Sequence, residues 1–279
     1  MRLPTDIRTR LTEIGQRPDR HIDLAETALI LASADRPGVG FERYRRHLRR
    51  LADEVRTYAG GTEPPVALDL RIEALVQVIA KRYGYGGTEA VFDDLDAANM
   101  MRVIDSRSGL PIVIGILYIQ TARALGWPIS GLDFPGRFLI RLEDGPERKI
   151  LDPFSGGYVV EPRDMRGMFK AVAGNHVEMK PEHYAEMSNR RILLRLQQNI
   201  KSRLLRGDRP EDALEVLEAM LLFAPGETEL WREAGLFYAR LDRISGAIEA
   251  LEEYLRRSGG AQARYNTTVL LQELRARLN

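Results

Sequence analysis

Apolar residues recur every three to four positions through much of the first hundred residues, which is the spacing of amphipathic helices. Asp23 precedes the segment LAETALILASA and can cap a helix there. The next segment, FERYRRHLRRLADEVRTYA, places apolar residues from Phe41 to Val55 on one stripe, and VALDLRIEALVQVIAKRYG repeats the pattern. We therefore predict three amphipathic helices, followed by a short helix from about Ala97.

The pattern changes at Pro111. The apolar run to Leu125 predicts a buried helix, whose first turn tolerates proline because the first amides of a helix have no internal partner. The segments ISGLDF, RFLIRL and KILDPF are short, rich in β-branched and aromatic residues and separated by glycine, and GGYVVEP resembles them. They predict antiparallel strands. We expect a first domain over residues 1–187 of the α+β class, with helices packed on a small antiparallel sheet.

From about residue 188 the sequence predicts helix throughout and repeats itself. Asp208 recurs after 34 positions as Asp242, and further residues of the two copies follow the same offset. The spacing of Trp231 and Gly235 within the repeat is typical of tetratricopeptide helical hairpins. We expect a second domain over residues 188–279 that is all α and of the tetratricopeptide type.

Composition restricts the classes of function. The 41 basic and 40 acidic residues leave a net charge of +1, so we expect neither nucleic acid nor a membrane as a partner. The absence of cysteine excludes disulfides, thiolate metal sites and thiol catalysis. No apolar run approaches the roughly 18 residues of a membrane span, and the first residues lack the apolar core of a signal peptide. We expect a cytoplasmic protein of bacterial type.

Three segments in order, SRSGLPIVIGILYIQTARALGW, FPGRFLIR and ILDPFSGG, together with the repeat tail, carry a family resemblance. The chain resembles the SirB-type proteins, in which a transglutaminase-like (papain-like) core is joined to a tetratricopeptide tail. The resemblance covers nearly the whole chain and implies the site of a Cys-His-Asp triad. In such a triad the thiol sits at a helix start, histidine takes its proton, and aspartate orients the histidine.

The resemblance places the three positions of the triad on this chain. The cysteine position is Pro111, or Ile112 if the register slips by one; the histidine position is Arg137, and the aspartate is kept as Asp152. Neither proline nor isoleucine can be a nucleophile, and arginine stays protonated and cannot be a base. SirB-type proteins generally lack the cysteine, whereas the loss of the histidine is a further departure. The resemblance therefore implies a pseudoenzyme without catalytic residues.

Asp152 and Arg137 each allow two interpretations. Asp152 precedes a proline and can simply begin a turn, while Arg137 can be a strand residue that faces solvent. Alternatively, the two side chains meet across neighbouring strands, and the positive charge of the arginine pairs with the carboxylate of the former triad aspartate. We predict that they form an ion pair.

Other groups offer weaker chemistry. His176, Glu178 and His183 are close in sequence but lack the helical spacing of a zinc motif, so we expect no metal and no cofactor. Ser106 and Ser108 precede a helix start without the glycine-flanked elbow of a serine nucleophile.

The helix FERYRRHLRRLADEVRTYA carries a run of arginines that lie mostly off its apolar stripe: Arg45, Arg46, Arg49 and Arg50. These arginines can form a basic docking patch, but we predict a solvated helix face.

These observations favour a non-catalytic protein that serves as an interaction or regulatory module for a protein or peptide partner. We expect Arg232, Glu233 and Arg240 to reach that partner, because repeat arrays present the first helix of each hairpin in a groove. One alternative is a hydrolase or acyltransferase with a rebuilt site around Asp152, Arg137 and a serine. Another is a peptide-binding cleft that reuses the vacant substrate groove without chemistry.

Overall fold

The computed structural model describes residues 3–61 and 65–277, with side chains described outside 261–263. The chain forms two compact units, one of residues 19–196 and one that combines residues 1–18 with 197–279. These units do not test the predicted boundary between two folding domains at residue 188, which stays a prediction.

Helices make up most of both units. The longer helices are α1 (Thr5–Gln16), α2 (Leu24–Ser33), α3 (Glu42–Tyr58), α4 (Leu68–Leu75), α5 (Met100–Ser106), α6 (Pro111–Ala124), α7 (Pro162–Ala173), α8 (Asn189–Arg206), α9 (Pro210–Phe223), α10 (Thr228–Arg240), α11 (Ile244–Arg257) and α12 (Ala261–Ala276). A π-helical stretch, Val76–Arg82, follows α4, and 3-10 turns lie at Asp19–His21, Glu89–Phe92, Asp96–Ala98 and Pro181–Tyr184. None of the described helices combines the length and apolar character that a bilayer span requires.

The first helices of the unit of residues 19–196 follow the sequence pattern. The Asp23 carboxylate accepts a hydrogen bond of 2.9 Å from the Glu26 amide and caps α2, as predicted. On α3 the predicted stripe is buried from Tyr44 to Val55, while Phe41 lies just before the helix and is half-buried. The amphipathic pattern thus determined which face of α3 points into the core.

The sheet of this unit is antiparallel and has five strands in the described part of the chain: β1 (Ile129–Phe134), β2 (Arg137–Asp144), β3 (Glu147–Asp152), β4 (Tyr158–Val159) and β5 (Glu186–Met187). Their order is β4-β3-β2-β1-β5. The segments predicted as strands form β1 to β4, which confirms the α+β class. The two-residue β5, which pairs with β1, was not predicted.

The sheet is covered on both faces, since neighbouring side chains of a strand point to opposite sides. On one face α6 approaches β2 closely, because Gly115 has no side chain: a Cβ there would lie 2.3 Å from the Phe138 ring. On the other face Leu139 packs with Met165 and Phe169 of α7. This helix was not predicted.

The repeat appears in the backbone of the second unit. Asp208 and Asp242, which lie 34 residues apart, both adopt a left-handed conformation, with φ of 53° and 58°. Gly235 of α10 allows α11 to approach, since a Cβ there would lie 2.5 Å from Leu251. The close packing of α10 on α11 is the feature that the small residues of the repeat predict.

Helix α1 belongs to this second unit and was not predicted. Its buried residues are Ile7, Leu11 and Ile14, and it packs on α9. The approach is close, because a Cβ on Gly15 would lie 2.1 Å from the Leu222 carbonyl oxygen. The first residues of the chain therefore cover an apolar face of the repeat array.

Candidate functional site

Asp152, at the end of β3, is the centre of the site that the sequence indicates. The residue is 2% exposed. One carboxylate oxygen accepts hydrogen bonds from the Phe154 amide at 3.0 Å and the Ser155 amide at 3.3 Å. The other accepts from the Arg137 guanidinium at 2.6 Å and the Ser155 hydroxyl at 2.9 Å. Four donors thus compensate the burial of this charge.

The topology of the sheet brings Arg137 and Asp152 together. Strands β2 and β3 are antiparallel, so the start of β2 and the end of β3 lie at the same end of the sheet, where the two side chains meet. The predicted ion pair is confirmed, with Arg137 45% exposed and Asp152 almost fully buried. The turn interpretation of Asp152 also holds, because its side chain binds the amides of Phe154 and Ser155 that follow it.

Pro111 is the first residue of α6, as predicted. It offers neither a nucleophilic atom nor an amide hydrogen. The hydrogen bonds and ion pairs of the described residues join Arg137 to Asp152 and do not include Pro111. The structure therefore brings the histidine and aspartate positions into contact.

The sequence analysis missed two neighbours of Asp152. Ser155 was not singled out, although it follows Asp152 by three residues, a spacing at which a side chain can return to a turn. The Tyr118 hydroxyl is buried and has no hydrogen-bond partner among the described residues. Burial and the nearby negative charge of Asp152 raise the pKa of Tyr118, so the phenol stays protonated and cannot serve as a base.

This arrangement limits the chemistry that Asp152 can perform. Both carboxylate oxygens are engaged, and Asp152 would have to give up one of these contacts to take a proton from a substrate or from Ser155. As arranged, the contacts fix the start of β2 and the turn after β3 to each other.

His183 has contacts other than Asp152 and Arg137. The His183 ring accepts a hydrogen bond of 2.8 Å from the Lys180 amide and lies 4.6 Å from the Phe169 ring. His176 and Glu178 are exposed. Among the described residues no group of three or more histidine, cysteine or acidic side chains is placed to hold a metal ion.

The arginines of α3 differ in their surroundings. Arg45 pairs with Glu26 of α2 and Arg49 pairs with Glu42, whereas Arg46 and Arg50 are exposed. The solvated face that we predicted is therefore partly occupied by ion pairs.

The three tail residues proposed to bind a partner have different environments. Arg232 and Arg240 are exposed on α10, and Leu236 between them is 41% exposed. Glu233 instead binds Lys201 at 2.5 Å, and the Lys201 side chain is only 1% exposed. The 34-residue offset aligns Lys201 with the closely packed Gly235, but it does not point to Glu233 as the partner of Lys201.

Two family models match the chain. The model described as Transglutaminase-like superfamily covers residues 42–198, which is more than half of the chain. The model described as Tetratricopeptide repeat covers residues 200–272. These matches agree with the α+β unit and the helical repeats.

Similar proteins come from several bacteria. A UPF0162 protein of Xylella fastidiosa strain Temecula1 is 28% identical over 242 residues, which cover 85% of each chain. A UPF0162 protein of Vibrio cholerae is 29% identical over 235 residues, which cover 84% of this chain and 86% of the relative. Protein SirB1 of Salmonella typhimurium is 26% identical over 188 residues, which cover 67% of this chain and 70% of the relative.

Among solved structures, menin matches with a TM-score of 0.35 and 9% identity, over 93% of this chain and 73% of that chain. This likeness is too low to support an argument about fold or function. The family matches and the bacterial relatives, together with the fold, are consistent with one another. The chain belongs to the transglutaminase-like superfamily, as a SirB-type protein in which a transglutaminase-like core precedes a tetratricopeptide segment.

Proposed function

We propose that this protein is a non-catalytic member of its superfamily and acts as a protein-interaction module with a regulatory role. The observation that carries the proposal is the contact of 2.6 Å between Arg137 and Asp152. The histidine position holds a permanent cation that binds the aspartate, and the cysteine position holds Pro111. No group in these positions can attack a carbonyl or accept a proton from a nucleophile.

The tail supplies the interaction surface of this proposal. Tetratricopeptide hairpins stack into arrays that bind protein or peptide segments without a cofactor. On α10 the residues Arg232, Leu236 and Arg240 are spaced four apart, so they lie on one side of the helix, and all three are exposed. Arg232 and Arg240 have no ion pair with another described residue. A partner segment with acidic and apolar side chains would complement this surface.

The absence of catalysis is tested with the purified full-length chain. We expect no turnover of peptide or amine-acceptor substrates above the buffer rate. Turnover that co-purifies with the protein and disappears in Ser155→Ala would establish the alternative of a rebuilt hydrolase or acyltransferase. The contact of 2.9 Å from the Ser155 hydroxyl to Asp152 makes this serine the one to test.

The interaction surface is tested by quantitative capture of partners from bacterial lysate. The double variant Arg232→Glu/Arg240→Glu should lose the bound partner while its melting temperature stays unchanged, because both side chains are exposed. The control is Arg163→Glu/Arg166→Glu, which makes the same change of charge at exposed positions of α7. Equal loss in both variants would mean that only overall charge matters.

The remaining alternative is a peptide-binding cleft at the former triad. A partner that survives the double reversal on α10 but is released by Arg137→Ala would move the interaction to that cleft.

A further inference from the structure

A second group of polar side chains lies within residues 19–196 and shares no residue with the Asp152 site. His47 and Arg50 come from α3, Tyr83 and Tyr85 from the segment after the π-helical stretch, and Arg107 from the turn between α5 and α6. We call these five residues the Arg107 cluster. The His47 Nε2 atom lies 2.7 Å from the Tyr85 hydroxyl and 3.0 Å from the Arg107 guanidinium.

The backbone holds Arg107 in an unusual conformation. Its φ of 67° is left-handed, which costs a residue with a side chain about 1–3 kcal/mol. Two backbone hydrogen bonds hold this conformation. The Gly86 amide donates to the Arg107 carbonyl at 3.2 Å, and the Gly109 amide donates to the Gly86 carbonyl at 3.1 Å. The guanidinium is thereby placed over the rings of Tyr85 and Tyr83, at 4.9 Å and 5.5 Å from their centroids.

The partners of Arg107 are neutral. Among the described residues it has hydrogen bonds to tyrosine and histidine and no ion pair with a carboxylate. The two nearby carboxylates are engaged elsewhere: Glu54 accepts from Tyr83 and Arg82, and Asp105 accepts from two other arginines. A half-buried cation is therefore left without an ion pair among the described residues.

The lowered pKa of His47 is consistent with an excess of positive charge around this ring. Burial, together with the charges of Arg107 and Arg50, lowers the pKa of His47 to about 4. The ring is therefore uncharged at neutral pH, and Glu54 is the acidic group that acts on it in the opposite direction. Arg50 is exposed and has no ion pair with a described residue, and its charge adds to that of Arg107 at the neutral imidazole.

We propose that the Arg107 cluster binds the phosphate group of a small molecule. Arg107 and Arg50 supply two positive charges, which match the two negative charges of a phosphate monoester, whereas a monocarboxylate would balance only one. The planar guanidinium donates parallel hydrogen bonds to phosphate oxygens. The exposed Arg46, one turn before Arg50, extends the positive surface beyond the phosphate. This site is independent of the surface on α10.

The first test follows the His47 imidazole by NMR in the full-length chain, with His47→Gln to assign its signal among the four histidines. Inorganic phosphate and phenyl phosphate are titrated against sodium chloride at equal ionic strength and at about pH 7.5, well above the second pKa of a phosphate monoester of about 6, so that the phosphates carry close to two negative charges. Each phosphate should shift the His47 ring signals saturably, because the bound anion lies beside the imidazole. Benzoate should bind at least about tenfold more weakly, since it carries a single charge. An equal response to chloride, or equally tight binding of benzoate, would overturn the proposal.

The second test compares variants by the response of His47 to inorganic phosphate. Arg107→Gln and Arg50→Gln should each weaken binding at least about tenfold, as expected for the loss of a charge-assisted hydrogen bond. The control Arg49→Gln removes an arginine of the same helix that already pairs with Glu42, and it should bind as the natural chain does. Since Arg50 is exposed, its variant separates binding from folding. Unchanged phosphate binding in Arg50→Gln would refute the site.

Discussion

Two arginines in the unit of residues 19–196 stand in contrasting surroundings. Arg137 lies 45% exposed beside Asp152 and shares that carboxylate with three other donors. Arg107 lies half-buried between tyrosine rings, with neutral hydrogen-bond partners and no carboxylate of its own in the described part of the chain. Asp152 has a positively charged partner, whereas Arg107 has no negatively charged partner among the described residues.

A ligand would gain more binding energy at Arg107 than at Asp152. At Asp152 a ligand would have to displace an existing ion pair and would leave a buried charge without its partner. At Arg107 an anion would supply a negative charge without breaking an ion pair of the described residues. We therefore expect an anionic ligand to bind at Arg107 and not at Asp152, although Asp152 is the residue whose position resembles an active site by sequence. Each of the following changes tests one side of this contrast.

The largest effect is expected at Asp152. Asp152→Ala leaves two amides and a hydroxyl without their acceptor and Arg137 without its partner, so the free energy of unfolding should fall by about 3 kcal/mol. Urea unfolding of the full-length chain measures it. Asp152→Asn is the matched control, since it keeps an acceptor for the turn and should lose less. A decrease below about 1 kcal/mol for the alanine variant would mean that water replaces these contacts.

A smaller loss is expected when the cation is removed instead. Arg137→Ala strands the buried carboxylate but leaves its three other donors, and the arginine is close to solvent, so we expect a decrease of about 1–2 kcal/mol. Arg137→Lys keeps the charge and should recover part of that loss. The same urea experiment compares them. A loss equal to that of Asp152→Ala would show that the ion pair dominates the site.

The Arg107 cluster should make stability depend on pH. The pKa of His47 in the fold is about 4, below its ordinary value of 6.5, so the unfolded chain binds the proton more tightly. The stability due to neutral His47 is complete above pH 6.5 and is lost as pH falls towards 4. Because the ring is partly exposed, we expect a loss of about 1 kcal/mol between pH 7 and pH 4.5.

The control is His47→Gln, measured by urea unfolding at both pH values. It should show a smaller decrease than the natural chain over this interval. An identical decrease would assign the pH dependence to other groups.

The smallest change in stability is expected for Arg107→Gln. The loss of contact with two tyrosine rings costs about 0.5–1 kcal/mol, and the relief of an uncompensated charge offsets part of it. The pKa of His47 should rise above about 4, since a positive charge beside it is removed. NMR titration measures this shift. If Arg107→Gln were less stable than Arg137→Ala, Arg107 would contribute mainly to folding, and this result would contradict its proposed role in ligand binding.

The sequence predicted those elements whose signals are local. Strands β1 to β3 are short alternating segments between glycines, α6 is an apolar run with proline at its first position, and the 34-residue offset identifies the hairpins. The contact of Arg137 with Asp152 followed from the family resemblance, which places the two residues on successive strands. Each of these features can be recognised along the sequence without knowing how distant helices pack.

The missed elements depend on distant partners. Helix α1 has apolar residues at Ile7, Leu11 and Ile14, a helical spacing, but its partner α9 begins about two hundred residues later. The Arg107 cluster is assembled from segments that the sequence separates by dozens of residues. The repeat pattern predicted that Glu233 faces a ligand. Its contact with the buried Lys201 becomes apparent only when the two helices pack.

Two aspartates of the tail with left-handed backbone conformations offer a way to change its thermal stability without altering the Asp152 site or the Arg107 cluster. Asp208 and Asp242 occupy the same turn of successive repeats, at a backbone conformation that glycine adopts with less strain. The Asp242 carboxylate also holds Arg277 at 2.6 Å, whereas that of Asp208 has no partner among the described residues. Replacement of Asp208 by glycine is therefore the cleaner route to a more heat-resistant protein, and the twin position reports how much the extra contact contributes.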